Sequence, residues 1–155
     1  MDLYSWLLAL HLLAAFAIAA ALVLYSALVY TGRRMRTLED TRYVFRLAPI
    51  GAPLIGAGSV LALLLGIWLA IKSPDYHVWD GWVIAALVLW LVFGAIGGRT
   101  GAYYTGVQKI ADANEPGAEA EVISRLQAPT GLLLHLGNIA IFVLLLLDML
   151  FKPGA

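Results

Sequence analysis

The sequence predicts an all-α, polytopic membrane protein: a single domain built as an antiparallel bundle of four transmembrane helices, with both termini outside. Three observations predict it. The 155 residues are 62% hydrophobic and only 13% charged, where a soluble domain carries about a quarter charged residues mixed along the chain. The charges fall in short blocks, so that Asp2 to Arg33, Arg46 to Lys72, Asp80 to Arg99 and Arg125 to Asp148 each bracket a charge-free interval. Each interval holds about 18 residues or more, enough helix to cross a bilayer's hydrocarbon core. Finally, eight of the ten Lys and Arg residues lie in the connections after the first and third spans (Arg33, Arg34, Arg36, Arg42, Arg46, Arg99, Lys109, Arg125), against Lys72 and Lys152 elsewhere. Positive charge is retained on the cytoplasmic side, which places the two long connections inside.

The first span is expected over residues 3–30. Tyr4 and Trp6 mark one interface and Tyr25 and Tyr30 the other, since aromatic rings favour the headgroup level. No Lys or Arg precedes this run and it is too long for a signal-peptide core, so it reads as a retained helix. Residues 31–46 are basic, and Glu39-Asp40 followed by Tyr43 and Val44 suggests a short helix beside the membrane. The second span is expected over 49–71, with Pro49 and Pro53 in its first turns. After them Gly58, Ala62, Gly66 and Ala70 recur every fourth residue, a stripe of small side chains suited to close helix packing. A short polar connection leads to the third span, 82–98, whose helix extends to 113 if it leaves the bilayer unbroken. Gly94, Gly97, Gly98 and Gly101 form two overlapping GxxxG pairs within it. Asn114-Glu115-Pro116-Gly117 is a turn by composition, and 118–126 an amphipathic segment with Val122, Ile123 and Leu126 on one side. Pro129 suits the first turn of the last span, 129–151.

Net charge is zero, which gives no reason to expect a nucleic acid partner, and the absence of cysteine excludes disulfides, thiolate metal sites and a cysteine nucleophile. Two titratable side chains fall deep within the spans, His11 and His135, and such residues are costly enough to count as functional candidates. Asn138, one turn from His135, makes a small polar patch with it. Bis-histidine ligation of a b-type haem is the simplest functional reading of the pair; orientation of helix packing by hydrogen bonds is the bland one. Depth weighs against a shared iron, because antiparallel spans centred near Phe16 and Ile139 put the imidazoles roughly 14 Å apart in height. His77 with Asp75 and Asp80 is a thin metal-site signal, better read as a solvated loop. Arg33, Arg34 and Arg36 follow from topology and suit anionic headgroups. Asp148 is placed to pair with Lys152 one turn later.

Leu10-His11, Leu64-Leu65-Gly66-Ile67-Trp68-Leu69-Ala70, Gly81-Trp82 and Lys152-Pro153 occur in an order that resembles a group of small bacterial four-helix membrane proteins of unknown function. These are in turn distantly similar to the haem-dependent membrane protoporphyrinogen oxidases and the copper-resistance D domains. The resemblance implies a bacterial cytoplasmic membrane and a functional histidine at His11. The oxidases also use a lysine in their third helix, where this chain reads Val83-Ile84-Ala85-Ala86-Leu87, so the architecture is what carries over. Packing features outnumber chemical ones. The sequence therefore points to a non-catalytic accessory or scaffolding subunit that binds no cofactor, with haem or tetrapyrrole handling at His11, and at His135, as the alternative. A transporter is a weaker reading, since no span pairs buried charges.

Overall fold

A computed structural model describes residues 2–73 and 77–153. These residues form six helices and no strand: α1 (Leu3–Gly32), α2 (Leu38–Phe45), α3 (Ala48–Lys72), α4 (Gly81–Ala113), α5 (Ala118–Gln127) and α6 (Pro129–Phe151). Four of them, α1, α3, α4 and α6, are long and apolar enough to cross a membrane, which makes this a multi-pass integral membrane protein. The third span takes the longer of its two expected extents. At 33 residues α4 is about 50 Å long, so it runs well beyond a hydrocarbon core of about 30 Å. Pro74, Asp75 and Tyr76, between α3 and α4, lie outside the described residues.

Local chemistry sets the helix ends. Asp2 caps α1, its carboxylate accepting from the Ser5 backbone N–H at 3.0 Å and from the Ser5 hydroxyl at 2.5 Å. Those bonds favour the charged form and hold the Asp2 carboxyl below its ordinary pKa. Thr37 caps α2 by accepting from Asp40 N–H at 3.1 Å. Proline sits in the first turn of both α3 and α6, where its missing N–H costs nothing. After α4 the chain reverses through Asn114 at φ 54° and Gly117 at φ 88°, left-handed values that glycine adopts without strain and asparagine tolerates.

The bundle is two antiparallel pairs rather than four equal neighbours. α1 packs closely along α3 and α4 along α6, whereas the backbones of α3 and α4, and of α1 and α6, approach one another at few points; between the pairs lies a core of Ile18, Leu22, Ala86, Phe93, Phe142 and Leu145. In the first pair, a Cβ added at Gly58 would lie 3.1 Å from the Ala14 carbonyl oxygen, so the stripe's glycine is what lets the two backbones approach. In the second pair, Phe93 and Phe142 meet with ring centroids 5.9 Å apart and Gly131 leaves room for Tyr103 and Tyr104. The start of α1, the end of α3, the start of α4 and the end of α6 share one end of the molecule, here the termini end; α2 and α5 cover the other, the loop end.

That loop-end cover has its own core of Phe45, Val107, Ala111, Val122 and Leu126. The face α5 turns inward is Ala118, Val122 and Leu126, spaced every fourth residue, with Ile123 only half-buried. Side chains from the basic segment bind it down. Arg33 Nη1 donates to the carbonyls of Leu126 (3.1 Å) and Ala128 (2.8 Å), and Arg42 donates to Ala111 O at the end of α4. Arg33, expected at headgroups, thus spends donors on the protein, while Arg34 and Arg36 are exposed.

Candidate functional site

The sparse backbone contact between the helix pairs leaves two spaces, one in each half of the bundle. In the termini half, a cavity of about 210 Å³ lies among α1, α3, α4 and α6. Trp82, Trp90, Phe93 and Phe142 line it with aliphatic side chains, and His11 is its one titratable group. His11 is 8% exposed. Its Nδ1 is buried with no hydrogen-bond partner. Gly66 makes the space for this ring: a Cβ there would sit 3.1 Å from His11 Cε1. Every member of the stripe lies at this contact or at the cavity, with Gly58 and Ala70 buried and Ala62 and Gly66 half-buried.

In the loop half, a crevice of about 550 Å³ runs between the N-terminal half of α3 and the second half of α4. His135 and Asn138, 2% and 3% exposed, line it. Ser26 Oγ, 2.8 Å from the Leu22 carbonyl, directs its one proton there, so His135 donates Nε2–H to Ser26 Oγ at 2.8 Å. Asn138 Oδ1 is buried without a partner, its amide resting against the open side of Gly97. The other three glycines of the two GxxxG pairs behave differently. A Cβ on Gly94, Gly98 or Gly101 would meet nothing within 4 Å, and the three share one exposed helix face.

The two histidines are not brought together. Ser26 lies 15 residues beyond His11 on the same helix (26 − 11), about 22 Å along the axis, and His135 is bonded to Ser26. The ligands of one iron sit about 2 Å from it. This pair cannot hold a haem between them, and the separation exceeds the roughly 14 Å expected from span centres. At the termini end His77 N–H donates to Asp80 Oδ2 (2.8 Å) while its ring stacks on Trp79 at 4.9 Å; Asp75 lies outside the described residues. Among the described residues no group of three or more His, Asp or Glu side chains is placed to hold a metal ion. Lys152 does not reach for Asp148: its Nζ lies 5.4 Å from the centroid of the Trp82 ring, and Asp148 Oδ2 is buried without a hydrogen-bond partner.

Sequence reasoning missed Ser26, whose signal was a hydroxyl in an otherwise apolar stretch, and missed the aromatic walls of the cavity. Trp82 reads as an interface marker, and Trp90 and Phe93 as ordinary apolar span residues. Trp90 in fact bridges the seam between α3 and α4, its Nε1–H donating to Ser59 O at 3.2 Å. No family model, curated protein or solved structure matches this chain.

Proposed function

We propose that this multi-pass membrane protein is a non-catalytic subunit of a larger assembly in a bacterial cytoplasmic membrane, and that it seats a transmembrane helix of a neighbouring subunit against α4. The observation that carries the reading is the uncovered face of Gly94, Gly98 and Gly101. In lipid, helices associate through van der Waals contact and interhelical hydrogen bonds, so backbone exposed by small residues is where a second helix gains most. The same three glycines line the crevice, as does Asn138, whose buried Oδ1 has no partner. Exposed Arg34 and Arg36 would lie at anionic headgroups, each contributing about 1 kcal/mol.

Purification from native membranes in mild detergent tests the reading. The protein is expected to migrate in a complex that Gly98→Leu disrupts and that Ala140→Leu, on an exposed part of α6, leaves intact. A lone monomer under the same conditions refutes it. If that monomer instead shows an intense Soret band that His11→Ala abolishes, the tetrapyrrole reading replaces it, with His11 as sole histidine ligand.

A further inference from the structure

We infer that the cavity at His11 is a binding site for a lipid-soluble aromatic molecule that carries a hydroxyl or N–H donor, a class that includes phenols and quinols. Size is the first argument. An apolar cavity of about 150 Å³ accommodates benzene, so about 210 Å³ has room for one ring with a substituent or two fused rings. The walls are the second. Trp82, Trp90, Phe93 and Phe142 offer ring faces and edges on several sides, surfaces that favour offset or edge-on contact with another aromatic ring.

The third argument fixes the polarity of the ligand. His11 is more than nine-tenths buried and borders the cavity, and its Nδ1 has no partner. A neutral imidazole carries one acceptor nitrogen, a role we assign here to Nδ1. Buried acceptors are seldom left unsatisfied, because the lost hydration is uncompensated. A ligand donor supplies the missing bond; a ligand bearing only carbonyl or ether oxygens does not. The torsion that turns the imidazole plane is soft, so Nδ1 can tilt from Gly66 toward a guest while keeping its rotamer. Entry needs no aqueous path, since the backbones of α3 and α4 approach at few points and the rim residues Leu63, Ile67 and Leu87 meet the lipid side of the seam. The site is independent of the proposed helix contact on α4: only Phe93 borders both spaces.

The test uses the full chain in lipid nanodiscs, titrated with 2-naphthol and with 2-methoxynaphthalene, which has the same rings and no donor. Quenching of tryptophan emission reports occupancy beside Trp82 and Trp90. The expected result is saturable one-to-one binding of 2-naphthol, about tenfold tighter than 2-methoxynaphthalene, as one well-made buried hydrogen bond provides. In His11→Phe the two probes should bind within about twofold of each other. Quenching no greater than partition into the lipid explains, or equal affinity of the two probes for the wild-type chain, overturns the inference. The wild-type comparison decides even if the variant does not fold; retained discrimination in a folded His11→Phe protein also overturns it.

Discussion

The close approach of α1 and α3 rests on Gly58, and Gly58→Ala should measure it. A Cβ at that position lies 3.1 Å from Ala14 O, 3.1 Å from Ile18 Cγ1 and 3.5 Å from Ala17 Cβ, where ordinary contact begins at 3.4 Å. The first neighbour is backbone, held in the regular hydrogen bonding of α1, and cannot swing aside. The helices must therefore part by a few tenths of an ångström along a contact that both use from end to end. Overpacking of this kind costs about 1–3 kcal/mol. Gly56→Ala, two residues away on the same helix, is the control, because its Cβ would meet nothing within 4 Å. That change should leave stability within about 0.5 kcal/mol, or raise it slightly through better helix propensity. Gly66→Ala should fall between, since its neighbour is the edge of the His11 ring, which can turn. The assay is unfolding in dodecyl maltoside micelles on titration with sodium dodecyl sulfate, followed by far-ultraviolet circular dichroism. Equal midpoints for Gly58→Ala and Gly56→Ala would refute the reasoning.

Two further predictions use other contacts. Ser26→Ala leaves the Nε2–H of His135 buried without an acceptor and should destabilise by about 1–3 kcal/mol in the same assay, whereas adding His135→Phe should recover much of the loss; two independent, additive costs would deny the bond. For orientation, His77→Cys should react with a membrane-impermeant maleimide from outside the cell and Thr37→Cys should not, and the reverse pattern would invert the topology.

The spans were legible because charge exclusion from lipid is a strong, local rule: the intervals bounded by Arg46 and Lys72 or by Arg125 and Asp148 need no knowledge of neighbours to be read. The stripe through Gly58 was legible for a related reason, as only small side chains at one helical spacing let two backbones meet. The cavity was not. Whether Trp82 and Phe93 cover lipid, a neighbour or an empty space depends on how far the two helix pairs stand apart, and no periodicity in α3 or α4 encodes that distance. The fate of Arg33 was hidden likewise: its carbonyl partners on Leu126 and Ala128 lie more than 90 residues away in the chain, and the charge itself reads equally well as a topology signal. His135 was legible as a buried polar group, but its height relative to His11 required knowing that it meets Ser26.

The seam between the pairs is looser than the contacts within them. α1 and α3 meet through Ala14, Gly58 and Gly66, so their backbones close up along the whole contact. Across the seam, α4 presents Trp90, whose indole reaches the Ser59 carbonyl of α3, and the two spaces open on either side of that bond. That bond and the Ser26–His135 bond at the other side of the bundle are polar struts, and interhelical hydrogen bonds in membranes average only about 0.6 kcal/mol. No hydrophobic force adds to them, because lipid tails solvate the gap as well as a partner helix does. Within the bilayer the pairs are joined by van der Waals contact in a core of Ile18, Leu22, Ala86, Phe93, Phe142 and Leu145, and at the loop end by the α2 and α5 cover. A molecule that fills the termini-half cavity, or a helix that seats against Gly94, Gly98 and Gly101, would supply contacts the bundle lacks. Either should stiffen the seam.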